Sequence, residues 1–171
     1  MKIYCAPIGG GRGSAAAYRL LEHAFMTEFG GGFPEIKKTE NGKPYFPEYP
    51  EIHFSLSHAK THVLCAIGNA PVGVDIESPR VIGERLANYF ASVDELALFD
   101  PLDLWVLKES YVKLLGLTVM AVRKIHFSRE GERIIAPDPA ARAKLYRIAG
   151  CTAAICTLGS ESPETIELVG V

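Results

Sequence analysis

Three short apolar segments between residues 52 and 77 restrict the fold more than any other feature of the chain. They read IHFSLS (52–57), HVLCAIG (62–68) and VGVDIE (72–77). The sequences AKT and NAP that separate them are typical of tight turns. Apolar runs of this length, bounded by turn residues, favour strands over helices. The middle of the chain is therefore predicted to form three consecutive β-strands.

Helices are predicted on both sides of these strands. A strand at 2–8 and the loop GGGRG precede a helix that runs from an N-cap at Ser14 to about residue 29. Downstream helices are predicted at about 82–90, at 93–99 behind a capping box that begins at Ser92, and at about 101–115 between Pro101 and Gly116. The segments KIHFSREGERIIAP and YRIAGCTAAICTLG then return to strands. This order indicates an α+β fold.

A faint internal repeat bears on the arrangement of these elements. HFSLSH…HVLCAIGNAP and IHFSRE…GCTAAICTLG each contain an apolar strand, a connection and a strand with a cysteine. Two unrelated β-meanders would explain the similarity equally well. A true repeat would mean two similar α+β halves, approximately residues 1–78 and 79–171, related by a pseudo-twofold axis with a crevice between them. The length of 171 residues suits one domain in either case.

Composition excludes several classes of protein. Apolar residues make up 48% of the chain and charged residues 22%, as expected for a soluble globular domain. The net charge of −2 argues against a nucleic-acid-binding protein that depends on positive charge. No apolar run is long enough for a membrane span and the start lacks a signal-peptide pattern, so we expect a cytoplasmic protein. The four cysteines show no metal-binding spacing and are expected to be buried free thiols: Cys5, Cys65, Cys151 and Cys156.

The third apolar segment carries two carboxylates on one face. Strand alternation places Asp75 and Glu77 on the same side as Gly73, opposite the valines and the isoleucine. Two such charges about 5–6 Å apart repel by about 3 kcal/mol at an effective dielectric of about 20. A strand end in water would relieve the repulsion, and so would a divalent cation such as Mg²⁺ or Mn²⁺. In the second case Gly73 would leave room for ligand phosphates.

The predicted helix WVLKESYVKLLG (105–116) is apolar on most faces but contains Lys108, Glu109 and Lys113. Trp105, Glu109 and Lys113 share one stripe by their i, i+4 spacing. A surface pair between Glu109 and Lys113 is one interpretation. The other is a phosphate-transfer site, in which a third carboxylate and two lysines face the carboxylate-bearing strand.

Further polar residues fall near predicted turns. The turn in NGKPYF (41–46) presents Lys43, and Ser57 and His58 end a strand where they could donate hydrogen bonds to phosphate oxygens. The spacing of His58 and His62 does not indicate zinc, because a turn separates the two residues. GGGRGS fits a dinucleotide-binding loop only if a serine replaces the last glycine, so a flexible loop is expected.

Four of these motifs together resemble a known family. GKP, FSLSH, VGVDIE and WVLKESYVKLLG, in this order and at these spacings, are similar to the Sfp-type 4′-phosphopantetheinyl transferases. The resemblance covers roughly residues 35–130, and the strands at 146–158 look like the C-terminal part of that family. It implies a monomeric pseudo-dimer of α+β halves, with coenzyme A in the crevice between them.

The resemblance also implies an activity. Such an enzyme transfers 4′-phosphopantetheine from coenzyme A to a serine of an acyl, polyketide or peptidyl carrier protein and releases adenosine 3′,5′-bisphosphate. Asp75, Glu77 and Glu109 would hold Mg²⁺, or Mn²⁺, on the pyrophosphate. Glu109 would also act as general base, and Lys113 would neutralise phosphate charge in the transition state. The residues that would bind coenzyme A are Gly42, Lys43, Pro44, Ser57, His58, Lys108 and Lys113. The alternative is a non-catalytic homologue that binds coenzyme A or a carrier protein without transfer.

Overall fold

The computed structural model describes residues 1–170, which form a mixed α+β fold. The elements in chain order are β1 (Lys2–Pro7), α1 (Gly13–Glu28), β2 (Lys37–Lys38), β3 (Pro44–Tyr45), β4 (His53–His58), β5 (His62–Gly68), β6 (Val72–Glu77), α2 (Glu84–Phe90), α3 (Val93–Leu98), α4 (Pro101–Leu115), a 3-10 helix (Val119–Lys124), β7 (Ser128–Glu130), β8 (Arg133–Ile135), β9 (Ala141–Ile148), β10 (Cys151–Leu158) and β11 (Glu167–Leu168). The α+β class predicted from the sequence is confirmed.

The strands form two main sheets with related connectivity. One sheet has the order β11-β1-β5-β4 and the other β6-β10-β9, while β2–β3 and β7–β8 are separate two-stranded ribbons. All pairs are antiparallel except β1–β11. The series β1-α1-β4-β5 and β6-α4-β9-β10 share one topology, because in each the third strand pairs between the first and the second.

The predicted run of three strands is divided between these sheets. β4 and β5 are paired, but the connection at 69–71 leads β6 into the other sheet, where it pairs with β10. The strand that corresponds to β4 in the second series is β9. The segment IHFSRE, which the sequence repeat put in that place, instead contributes β7 to a ribbon with β8.

Helix α1 covers one face of the first sheet with a stripe of small and apolar residues. The buried positions recur at helical spacing: Ala16, Ala17, Leu20, Leu21, Ala24 and Phe25. The helix begins at Gly13 with Arg12 as its N-cap, and no side-chain hydrogen bond caps it. The prediction that Ser14 caps this helix was wrong, because helical geometry starts one residue earlier.

Helix α4 covers the second sheet and is bounded as predicted. The Asp100 side chain accepts a hydrogen bond from the Leu102 amide at 2.9 Å, and Pro101 occupies the first turn. Gly116 ends the helix in the left-handed conformation, with a φ of 64°, which glycine adopts without steric cost. The capping box between Ser92 and Glu95 at the start of α3 is also confirmed.

The two sheets share a third apolar cluster on the faces that α1 and α4 leave free. Ile3, Cys5 and Leu64 from the first sheet belong to this cluster, together with Val74 and Ile155 from the second. All four cysteines are buried free thiols, as expected. Within residues 1–170, no helix is both long enough and apolar enough to cross a lipid bilayer.

Candidate functional site

The carboxylate face of β6 lies against α4. Val72, Val74 and Ile76 enter the cluster between the sheets, so strand alternation turns Gly73, Asp75 and Glu77 toward the helix. A Cβ atom at Gly73 would lie 2.0 Å from the Ser110 carbonyl oxygen. Gly73 therefore permits the close approach of strand and helix, and it does not leave room for phosphates as the sequence suggested.

Asp75 is the centre of a buried polar group. Its Oδ1 accepts hydrogen bonds from Ser57 Oγ and from Lys113 Nζ, both at 2.7 Å. Lys113 Nζ also donates to Ser57 Oγ at 2.9 Å. Only 8% of the Asp75 side chain is exposed. Strand β4, strand β6 and helix α4 thus each contribute one side chain to this group, which fixes its geometry.

The other two candidate metal ligands adjoin Asp75. Burial raises the pKa of Glu109 above its ordinary value, and the charges of Asp75 and Glu77 raise it further, against the opposing effect of Lys113. Glu77 forms an ion pair with Arg80 at 3.1 Å. The structure therefore brings the three predicted carboxylates into one electrostatic neighbourhood. Lys113 pairs with Asp75 at 2.7 Å, so the interpretation of Glu109 and Lys113 as a simple surface pair was wrong.

The carboxylates of this site have the chemistry of ligands for a divalent cation. Within residues 1–170, no three His, Cys, Asp or Glu side chains stand together as a ready metal site. The donors are nevertheless hard carboxylate oxygens, as Mg²⁺ prefers. Both hydrogen bonds to Asp75 end on Oδ1, so Oδ2 takes part in neither of them. The chemistry of the donors fits, provided that Glu77 turns from Arg80 toward Asp75.

A cleft of about 300 Å³ opens beside this polar group. Its lining includes most of the residues that the sequence assigned to coenzyme A: Gly42, Lys43, Pro44, Ser57, His58 and Lys113. Tyr18 and Lys38 also line it and were missed, since neither stands in a recognisable motif. His58 is exposed, and its ring lies so close to Gly13 that a Cβ there would be 2.7 Å from Nδ1.

Lys43 joins the wall of this cleft to α4. Its Nζ donates to the Leu114 carbonyl at 2.6 Å and lies 3.5 Å from the Val72 carbonyl. The charge therefore meets the carbonyl end of the helix, where a cation is stabilised. Burial lowers the pKa of Lys43 to about 8. The Lys43 ammonium is thus held by main-chain acceptors at the cleft.

Lys108 lies outside the site, contrary to the prediction that it contacts phosphates. Its side chain is fully buried, and its Nζ donates to the Phe90 carbonyl at 2.6 Å and to Glu95 at 2.9 Å. Consecutive helical residues point about 100° apart, so the orientation that turns Glu109 toward β6 turns Lys108 elsewhere. Lys108 connects α4 with α3 and does not bind a ligand.

The chain was compared with known proteins. The 4′-phosphopantetheinyl transferase superfamily model matches residues 71–150. The 4′-phosphopantetheinyl transferase Sfp of Bacillus subtilis (strain 168) is 30% identical over 147 residues, which are 76% of this chain and 66% of that relative. Psf-1 of Bacillus pumilus is 40% identical over 92 residues, or 47% of this chain and 40% of the relative. Gsp of Aneurinibacillus migulanus is 38% identical over 91 residues, or 47% and 38%. The chain thus spans between 38% and 66% of the length of these relatives.

Proposed function

Since this chain belongs to the 4′-phosphopantetheinyl transferase superfamily, we propose that it transfers 4′-phosphopantetheine from coenzyme A to a serine of an acyl, polyketide or peptidyl carrier protein. Adenosine 3′,5′-bisphosphate is the leaving product. The observation that carries the proposal is the meeting of Asp75, Lys113 and Glu109 beside a cleft lined by further cationic side chains. Carboxylates that hold a metal next to a lysine are what phosphoryl transfer requires.

Asp75, Glu77 and Glu109 are the residues that would hold Mg²⁺, with Mn²⁺ as a substitute. When bound, the ion supplies positive charge that neutralises the pyrophosphate of coenzyme A. Glu77 reaches it by leaving Arg80, and this exposed ion pair is a weak one. Burial is the largest cause of the raised pKa of Glu109, and the charges of Asp75 and Glu77 raise it further. These neighbouring negative charges support a cation at this point.

Glu109 is the proposed general base. Burial and the neighbouring charges of Asp75 and Glu77 raise the pKa of Glu109 in the metal-free protein, which favours acceptance of the proton of the carrier serine. A bound Mg²⁺ would offset part of this shift. Lys113 stands on the same stripe of α4, one turn further on, and presents its ammonium where phosphate charge develops. The fixed contact between Lys113 and Asp75 orients both groups before the substrate arrives.

Coenzyme A would occupy the cleft, with its nucleotide end against the turn formed by Gly42, Lys43 and Pro44. His58, exposed at the end of β4, is the proposed phosphate donor on the opposite wall. Lys38 adds a second positive charge near the turn. The positive side chains of the cleft complement a ligand that carries several phosphate groups.

The architecture supports two pseudo-twofold-related units in one chain. The series β1-α1-β4-β5 and β6-α4-β9-β10 share one topology, which supports this arrangement. Because β6 pairs with β10, we place the boundary between the two units at the connection 69–71 and not at residue 78. Since Ser57 comes from one unit and Asp75 and Lys113 from the other, a monomer contains the whole site. The buried free thiols fit a reducing cytoplasm.

The deciding experiment incubates the protein with coenzyme A, Mg²⁺ and a panel of apo carrier proteins. Intact-mass spectrometry is expected to show a gain of one phosphopantetheine group on at least one carrier. The matched control is Glu109→Gln, which keeps the size of the side chain and removes the base. Metal-dependent binding of coenzyme A without a mass gain on any carrier would favour the non-catalytic homologue.

A further inference from the structure

Side-chain hydroxyls of β4, instead of backbone carbonyls, accept the hydrogen bonds that connect strands β4 and β6. They lie next to each other but belong to different sheets within the described residues. Two serines of β4 bridge the gap. Ser55 Oγ accepts the Val74 amide at 3.0 Å, and Ser57 Oγ accepts the Ile76 amide at 3.4 Å. Both serines are buried, with 5% and 8% of their surfaces exposed.

Ser57 makes two contacts that Ser55 does not. It donates to Asp75 Oδ1 at 2.7 Å and accepts from Lys113 Nζ at 2.9 Å. A hydroxyl offers one donor and two acceptor lone pairs. The Lys113 ammonium and the Ile76 amide can only donate, so together they occupy both lone pairs. The single proton of Ser57 is therefore directed at Asp75, and none remains for a phosphate oxygen.

We propose that Ser57 is a positioning residue that holds Asp75 and Lys113 in their working geometry, rather than a ligand of coenzyme A phosphates. This role rests on the proposed transferase function. Asp75 and Lys113 belong to two different elements, β6 and α4, and Ser57 ties both to the neighbouring β4. Without the hydroxyl, the ion pair between Asp75 and Lys113 loses a shared partner, and each side chain gains freedom to rotate away from the reacting phosphate.

The test compares Ser57→Ala with Ser55→Ala. Each substitution removes one buried hydroxyl and one hydrogen bond to a β6 amide, but only Ser57→Ala disturbs Asp75 and Lys113. Steady-state transfer is measured with one carrier protein at saturating Mg²⁺. For Ser57→Ala we expect kcat to fall about 10- to 100-fold, the range for loss of hydrogen bonds to charged groups, with the KM for coenzyme A changed less than about threefold. Ser55→Ala should remain within about threefold of the wild type in both constants.

Two results would overturn the inference. Equal effects of the two substitutions on kcat and KM would mean that Ser57, like Ser55, only connects β4 with β6. A raised KM for coenzyme A with an unchanged kcat would restore Ser57 as a phosphate ligand. If Ser57→Ala does not fold, Ser57→Cys leaves no cavity, since its side chain is slightly larger, and its thiol hydrogen-bonds weakly, so the same loss of kcat is expected.

A second readout separates this inference from the proposed function. Calorimetric titration of Mg²⁺ into the protein with coenzyme A does not require transfer. We expect the apparent Mg²⁺ affinity to weaken severalfold in Ser57→Ala and to stay unchanged in Ser55→Ala. If the wild-type protein modifies no carrier, but the two variants still differ in Mg²⁺ affinity in this way, the transferase function is refuted and the positioning role of Ser57 stands. Identical Mg²⁺ affinities in both variants would refute the positioning role.

Discussion

Replacement of Lys108 by methionine tests whether this residue stabilises the fold and does not bind a ligand. The substitution keeps an unbranched apolar stem, one heavy atom shorter, and removes the ammonium. Two hydrogen bonds disappear, to the Phe90 carbonyl at 2.6 Å and to Glu95 at 2.9 Å. The Glu95 carboxylate stays buried, and it keeps hydrogen bonds from the Ser92 and Phe127 amides and from the Ser92 hydroxyl, with His126 Nδ1 at 3.4 Å.

The expected loss of stability in Lys108→Met follows from the burial of both Lys108 and Glu95. Their side chains are 0% and 3% exposed, and removal of one partner from such a pair costs about 3–5 kcal/mol. The partners that Glu95 retains place the expected loss near the lower end, about 3 kcal/mol. A loss of this size is a large part of a stability of about 5–15 kcal/mol. At about 2–4 °C per kcal/mol, the Tm should fall by about 6–12 °C.

Urea unfolding provides the assay, with the fluorescence of Trp105 as the probe. Trp105 is the single tryptophan, and its ring centroid lies 5.0 Å from that of Phe90, whose carbonyl Lys108 contacts. The double variant with Glu95→Gln should lose less stability than the sum of the two single variants, since neither charge is then left unpaired. A loss below about 1 kcal/mol would refute the reasoning. So would a folded Lys108→Met protein with at least tenfold lower kcat, because that would return Lys108 to the active site.

Three further predictions concern the site. Gly73→Ala should cost more than about 3 kcal/mol in urea unfolding because its Cβ would strike α4, whereas the control Gly32→Ala, with nothing within 4 Å, should be nearly neutral. Glu109→Gln should abolish transfer yet raise the Tm in metal-free buffer at pH 7. The folded state binds the Glu109 proton more tightly than the unfolded chain does, so the stability that this proton confers is present below pH 4.5 and lost as the pH rises through the raised pKa. The KM for coenzyme A should increase as the pH passes about 8, where Lys43 loses its proton, and this increase should be absent in Lys43→Arg; an unchanged wild-type KM up to pH 9 would contradict a role of the Lys43 charge.

The orientation of Asp75 could be predicted because it depends on a local rule. Side chains alternate along any strand, so the apolar set of β6 had to face a core and the carboxylates the opposite side. The boundaries of α4 were likewise predictable from Pro101 and Gly116. Such features depend on a few neighbouring residues, and the tertiary structure did not override them.

The sequence could not show which residues meet across long distances in the chain. β6 follows a turn that would suit a hairpin with β5, yet its pairing partner lies about eighty residues away. α4 is apolar on most faces, so its pattern does not reveal that Glu109 faces β6 while Lys108 faces α3. Gly73 illustrates the same limit, since a glycine in a strand indicates a close approach without saying what approaches.

The pairing of strand β11 bears on how the protein unfolds and on how its fragments behave after cleavage. It follows β10 in sequence but pairs with β1, and the Val169 amide donates to the Cys5 carbonyl at 2.9 Å. A cut at the connection 69–71 would therefore leave the first fragment without the edge strand β11, which the second fragment carries. The first fragment alone should be poorly folded, the two fragments mixed together should reassemble, and the intact chain should unfold in one cooperative transition.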